Sequence, residues 1–298
     1  MNQEPQEFLR SGLVAVAGPP NAGKSTLLNN LLGQKISIVS PKPQTTRNRV
    51  LGVLNGPGYQ LVLLDTPGLH GGTIALNAEM RRVALETLAE ADLVLFLLDA
   101  TAPPPKPGGE LAEYLAGIKT PVLLGLNKID LLRREKLLPL IAACQNLREF
   151  TAVVPLSARS GDGLPALLDE ITRLLPEGPR YFPDDIPTDV TVRSLAAEII
   201  REKVFLLTGQ EVPYSTAVVI DRFEEGERLT TIDATIVIER DSQKAIVIGK
   251  KGAKLKEIGT AARLDIETML DARVLLKIWV KVVKNWSRDP RLVRELGM

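Results

Sequence analysis

The sequence predicts an α/β protein: a parallel-rich sheet flanked by helices, followed by a smaller α+β module. The first observation is a set of short apolar runs, 13–17, 61–64, 93–98, 122–126 and 152–155, spaced along the first 175 residues. Runs this short and this rich in Val and Leu read as strands buried on both faces, the mark of parallel sheets. Helical patterns at 25–32, 76–91 and 164–175 alternate with them, so helices should cover the sheet on both sides. Next comes a proline-rich stretch, 176–187, which cannot continue a helix and breaks the chain. Beyond it the pattern changes to a helix at 195–207, strands at 214–223 and 229–239, two short helices around Gly249 to Gly252, and a strand near 275–283. That order is α-β-β-α-α-β.

A chain of 298 residues with 45% hydrophobic content can bury two separate cores. The expected division is a tail at 1–10, a first domain at 11–176, a linker at 177–190, a second domain at 191–285 and a tail at 286–298. The net charge of +1 is unevenly spread, since residues 244 to 284 hold ten Lys or Arg against Glu257, Asp265, Glu267 and Asp271. A local excess of this kind suggests a docking face for phosphates, although a solvated basic surface would look the same. The single cysteine, Cys144, lies in the apolar stretch 137–150 and is expected to pack as a small hydrophobe. No intrachain disulfide can form. The polar N-terminus and the absence of an apolar run of roughly 18 residues argue against a membrane span, and a cytoplasmic location is expected. Pro103 to Pro107 reads as a stiff surface loop.

Chemistry enters at Gly18-Pro19-Pro20-Asn21-Ala22-Gly23-Lys24-Ser25, which follows an apolar run and opens a helix that continues through Thr26. The glycines let backbone N–H groups turn inward around phosphate oxygens, and the helix N-terminus adds its positive end. Lys24 can reach the β- and γ-phosphates, and the Ser25 hydroxyl can ligate Mg²⁺. Asn127-Lys128-Ile129-Asp130 follows the run 122–126, and the Asp130 carboxylate can accept from the N1–H and N2 amino group of guanine, which adenine does not match. Ser157 and Ala158 supply backbone near the guanine O6. Asp65-Thr66-Pro67-Gly68 ends another apolar run, where a carboxylate can hold Mg²⁺ through water and the Gly68 N–H can sense the γ-phosphate. In 41–49, Thr46 in preference to Thr45 is expected to complete the metal site when GTP is bound, so loss of the γ-phosphate would release both segments. Catalytic roles thus fall on Lys24, Thr46 and Gly68. Leu69 follows the Asp65 element where Ras-type proteins carry a water-positioning glutamine, and the sole histidine, His70, is next to it.

In the second module, Gly249-Lys250-Lys251-Gly252 joins two helical segments, with Lys254 close behind. A Gly-x-x-Gly turn brings backbone N–H groups against nucleic-acid phosphates, and in the order α-β-β-α-α-β this is the arrangement of a type II KH domain. Ala245 to Ile248, Leu255 and Ile258 could line an apolar groove for unstacked bases. Alone, the turn is a weak signal.

The ordered nucleotide elements resemble a translation-factor-type P-loop GTPase domain. Together with the KH pattern and the segments 182–185, 198–203, 212–215, 247–254 and 276–281, nearly the whole chain resembles the Era-like GTPases. The resemblance implies GTP and GDP as ligands, Mg²⁺ as cofactor, and the 3′ end of 16S rRNA as target in 30S ribosomal subunit assembly. It also implies a monomer with peripheral membrane contact. A hydrophobic residue at position 69 is typical of that group. Relatives with an Asn at the place of Asn21 include potassium-activated members, so Asn21 could offer its carbonyl oxygen to K⁺, or could only hold the loop's shape by its own hydrogen bonds. Two other readings stay open: a nucleotide-gated RNA-binding module with negligible turnover, and a P-loop kinase for a small acceptor, against which Asn127 to Asp130 argues.

Overall fold

The computed structural model describes residues 9–40, 45–68, 74–106, 108–184, 186–209 and 212–297. The chain divides into two compact units, residues 1–37, 46–70 and 81–189 in the first, 38–45, 71–80 and 190–298 in the second. The first unit contains strands β1 (Leu9–Ala17), β2 (Val50–Gly56), β3 (Tyr59–Asp65), β4 (Leu93–Asp99), β5 (Val122–Asn127), β6 (Ala152–Pro155) and β7 (Glu177–Gly178). Its helices are α1 (Lys24–Leu32), the larger part of α2 (Ala75–Glu90), α3 (Glu110–Ala116), α4 (Leu137–Gln145) and α5 (Leu164–Leu174). Strand order is β2-β3-β1-β4-β5-β6, with β7 pairing β1.

All expected strands are present, and β1, β3, β4, β5 and β6 pair in parallel. Leu93 to Leu97 and Leu61 to Leu64 are almost wholly buried, as strands covered on both faces must be. The sheet has two antiparallel additions that no continuous apolar run announces. β2 carries Gly52, Asn55 and Gly56 among its apolar residues and so lacks a continuous run, yet it pairs antiparallel to β3 from Val50 to Gly56. β7 is two residues long and lies in the expected linker. That stretch is fastened to the first unit: Gln60 Oε1 accepts from the Tyr181 and Phe182 amides at 2.7 and 3.0 Å, and Val53 N–H donates to the Pro187 carbonyl at 2.8 Å. Proline removes donors from a strand but leaves every carbonyl available for such docking. Helix α5 shows why its pattern was legible, since Leu164, Leu167 and Ile171 form one buried stripe. Cys144 is buried in the same unit.

The second unit contains α6 (Val192–Leu207), β8 (Ala217–Glu224), β9 (Thr230–Ile238), α7 (Asp241–Ile248), α8 (Ala253–Leu270), β10 (Val274–Val282) and α9 (Pro290–Glu295). Thr191 caps α6 by accepting from the Ser194 amide at 3.2 Å. The sheet order is β10-β9-β8, with β9 and β10 parallel and β8 antiparallel to β9. Helix α8 is not short: it runs eighteen residues and buries Ile258, Ala262 and Ile266 on one stripe. Those residues meet Ile200, Val204, Ile232, Ile236 and Val247 in the core of the unit. The expected C-terminal tail is folded as well. Trp286 is fully buried, donates from Nε1 to the Ser215 carbonyl at 3.1 Å, and packs with Val293, Ala217, Val237, Leu76 and Met80.

Candidate functional site

The phosphate loop connects β1 to α1, and its backbone explains its glycines. Gly18 has φ +141° and a Cβ there would lie 2.3 Å from the Leu97 carbonyl oxygen; Gly23 has φ +97° and a Cβ would lie 2.1 Å from Asn127 Nδ2. Side chains at either place would push the loop off the sheet. Lys24 is buried and donates from Nζ to the Gly18 and Pro19 carbonyls at 3.0 Å each. Burial pushes its ammonium down to about 8, with the Asp65 carboxylate working the other way.

Asp65 ends β3 and is fully buried. Its Oδ2 accepts from Ser25 Oγ at 2.9 Å, Ser37 Oγ at 3.1 Å and Thr46 Oγ1 at 3.2 Å, while Ser25 and Thr46 lie 3.0 Å apart. Burial raises the carboxyl above its ordinary range, opposed by Lys24 and the three hydroxyls. Asp65 Oδ1 is buried and has no hydrogen-bond partner. This donor set fits Mg²⁺: the groups are hard oxygens, and an orphaned buried carboxylate oxygen lies among them. Mg²⁺ keeps several waters and phosphate oxygens in such sites, and one carboxylate with two hydroxyls is a donor set of that kind. Thr66 turns inward, its hydroxyl donating to the Val16 carbonyl at 2.9 Å, and Pro67 is buried behind it. Both shape the loop that presents Gly68.

Asn127 is the joint of the base-recognition side. Its Nδ2 donates to the Ala22 carbonyl at 2.7 Å, and its Oδ1 accepts from the Lys128 amide and the Ala158 amide at 2.8 Å each. One buried amide therefore links the phosphate loop, the turn carrying Asp130 and the Ser157–Ala158 loop. Lys128 sits at φ +70° with its Nζ 2.6 Å from Asp99 Oδ2. Although partial burial works against it, Lys128 and Thr101 hold the Asp99 carboxyl below its ordinary range. Asp130 lies exposed in the 3-10 turn Ile129–Leu131, and Ser157 is buried, its Oγ accepting from the Ser160 amide at 3.2 Å.

In the second unit the turn between α7 and α8 has Gly249 at φ +70°, Lys251 at φ +52° and Gly252 at φ +80°, with Lys250 and Lys251 exposed. A Cβ at Gly249 would lie 2.9 Å from the Lys254 amide nitrogen, so the close turn requires glycine there. Beside it runs a cleft of about 380 Å³ lined by Gly252, Leu255, Lys256, Thr260, Arg263 and Ile278 among others. Its walls are α8 and β10.

Residues 13–128 match the 50S ribosome-binding GTPase family and residues 211–287 match the KH domain family. The chain is 53% identical over 290 residues to GTPase Era of Geobacter metallireducens, covering 97% of each, and 46% identical over 289 residues to that of Ruminiclostridium cellulolyticum, again covering 97% of each. The chain belongs to the Era family of GTPases. Among solved structures, Era in complex with MgGDPNP and nucleotides 1506–1542 of 16S ribosomal RNA superposes with a TM-score of 0.92 at 45% identity, covering 97% of this chain and 99% of that one. An Aquifex aeolicus Era variant bound to GDP·AlF4⁻ gives 0.91 at 44% identity with the same coverage. This Era-family chain is accordingly a GTPase with a C-terminal KH domain.

In the Era-family site the structure departs from the sequence expectation at Val247 and Ile258 and adds detail at three other residues. The Ala158 N–H is engaged by Asn127 Oδ1. Ile258 and Val247 are fully buried core residues and do not line the groove, whereas Leu255 does. Lys254 is 2.7 Å from Glu257 Oε2, so its charge is shared along α8. Asn21 is exposed and sits at φ +61°, a left-handed conformation that Asn tolerates better than most residues, so both a loop-shaping role and an open carbonyl oxygen stay compatible with its placement. Leu69 and His70 lie outside the described residues. Sequence reasoning missed Ser37, whose only signal was its nearness to Thr46, and it missed the groove residues Lys256, Thr260 and Arg263. Their helical spacing behind Gly252 was readable.

Proposed function

We propose that this chain binds Mg²⁺ and GTP at the first domain, hydrolyses the GTP, and through its KH domain captures the 3′ end of 16S rRNA during assembly of the 30S subunit. The observation that carries this reading is the convergence of Ser25, Thr46 and the orphaned Asp65 carboxylate beside Lys24, in a chain that also holds a Gly-x-x-Gly groove. The RNA in the solved relative supports the target. The functional division follows residues 11–176 for the nucleotide and 191–285 for RNA.

In this reading Gly18 to Thr26 wrap the phosphates, with backbone N–H groups and the α1 N-terminus facing them. Lys24 exchanges its two carbonyl partners for β- and γ-oxygens, which restores to a buried ammonium the anionic partner its burial calls for. Ser25, Thr46 and Asp65 would hold Mg²⁺, which when bound neutralises charge on the β- and γ-oxygens. The Gly68 N–H donates to the γ-phosphate as charge grows there. Asp130 accepts from guanine N1–H and the N2 amino group, with Asn127, Lys128, Ser157 and Ala158 shaping the base pocket. The Leu69 side chain offers no hydrogen-bonding group, so the attacking water is positioned by something else. Lys250, Lys251 and Lys254 with Gly249 and Gly252 meet RNA phosphates. The chain acts as a monomer in the cytoplasm with peripheral membrane contact; no helix among the described residues is long and apolar enough to cross a membrane.

Crosslinking the protein to cellular RNA and sequencing what is recovered tests the target. Enrichment at the 3′ end of 16S rRNA is expected, and recovery without enrichment there overturns the assignment. The exposed Asn21 side chain supports a K⁺ ion stabilising transition-state charge on the phosphates. Single-turnover hydrolysis in potassium should then exceed that in sodium at equal ionic strength by about tenfold, or ~1.4 kcal/mol. Asn21→Ala should remove the difference. Equal wild-type rates in the two salts would assign the role to a group supplied by a partner.

A further inference from the structure

We propose that the face of the β8–β10 sheet opposite α6 and α8 is a second RNA-contact surface, where Trp279 stacks an unpaired base while Lys277 and Lys281 hold the flanking phosphates. It rests on the RNA reading above. Strand β10 alternates strictly: Leu276, Ile278, Val280 and Val282 pack toward the core, and Leu275, Lys277, Trp279 and Lys281 face out. Trp279 is 51% exposed and Leu275 42%. The chain has two tryptophans, and the other, Trp286, is wholly buried beneath the C-terminal segment. That segment, with Leu76 and Met80, covers Ala217, Val219 and Val237 at one end of this same face; Lys281 stands beside Val237, and Trp279, opposite Thr235, lies just beyond the covered patch.

Charge identifies the occupant. The groove side of the unit takes Lys250, Lys251, Lys256 and Arg263 from the basic region, whereas Lys277 and Lys281 stand on the opposite face, about 13 Å apart along the strand with the indole midway. Lysines alone would read as guards of an exposed edge strand, which β10 is. A half-exposed indole and a leucine set among them do not serve that purpose, because apolar surface on an edge invites pairing. Aromatic faces between cations are instead what single-stranded nucleic acid stacks upon. Asp233 lies in register between Lys277 on β10 and Arg222 on β8, which balance its charge on this face. Asp221 is already engaged by Thr235 at 2.7 Å. β10 also lends Leu276 and Ile278 to the groove, so a strand leaving the groove over this edge meets Trp279 next.

The test uses the full chain, a single-stranded RNA of about 6 nucleotides that fills the groove, and one of about 20 that can continue past it. The long RNA should quench tryptophan fluorescence and shield it from iodide; the short one should do neither. Trp279→Ala should weaken the long RNA roughly tenfold or more while leaving the short RNA and GTP hydrolysis unchanged, and Trp279→Phe should retain most of the affinity. Lys277→Glu with Lys281→Glu should flatten the salt dependence for the long RNA alone. Wild-type affinity of Trp279→Ala for the long RNA overturns the proposal, as does iodide shielding by assembled 30S subunits but not by naked RNA, which would assign the face to a protein. Failure of the wild type to bind either RNA would instead sink the underlying RNA reading.

Discussion

Asp130→Asn is expected to lower affinity for GTP by roughly a hundredfold, on the order of 3 kcal/mol, and to raise affinity for XTP. The carboxylate only accepts hydrogen bonds, and guanine offers two donors to it. The amide presents one acceptor and one NH₂, so one guanine donor then faces a donor. Xanthine carries a carbonyl at that edge and gains a partner. Asp130 is exposed in its 3-10 turn and its side chain makes no hydrogen bond among the described residues, so the substitution should not disturb the fold, and thermal unfolding of the variant should match the wild type. Titration with GTP and XTP under the same Mg²⁺ concentration checks this. An unchanged preference for GTP removes Asp130 from the site.

Lys250→Glu combined with Lys251→Glu should weaken RNA binding on the order of tenfold or more at physiological salt. It should also reduce the slope of log affinity against log salt by about 1.4. Two phosphate contacts on a single strand account for that slope, since each releases most of one counterion. Both lysines are exposed on a turn held by Gly249 and Gly252, and neither contributes to the core. Affinities measured across a salt series decide the matter. Wild-type binding throughout would leave the Gly-x-x-Gly segment as a turn and nothing more.

How much of this was legible depended on whether a feature is local. Gly18 to Ser25 and Asn127 to Asp130 could be read because backbone conformation and ligand chemistry demand those residue types at fixed spacing. The buried strands could be read because a parallel strand is apolar on both faces. By contrast, the brace at Asn127 joins residues 105 positions apart through Ala22, and no spacing along the chain announces it. The docking of 177–187 also depends on a partner far away in sequence, Gln60, whose buried amide no short motif singles out. β2 was obscured because its glycines interrupt the apolar run, although the Gly52 position is crowded: a Cβ there would lie 2.4 Å from Leu32 Cδ1. Ile258 lies near the lysines in sequence yet does not line the groove. Its place on the buried stripe with Ala262 and Ile266 shows that helical phase, and not proximity, decides which residues face the cleft.

Guanine nucleotide and RNA are expected to bind at two separate sites on one chain. The most direct test measures Mg·GTP and single-stranded RNA binding, each ligand alone, on the wild type, on Asp130→Asn and on the Lys250→Glu, Lys251→Glu double variant. Loss of GTP binding with RNA binding retained is predicted for the first variant, and the reverse for the second. Loss of both ligands by either variant at an unchanged unfolding temperature, or retention of both ligands by both variants, would mean that the two sites are not separate.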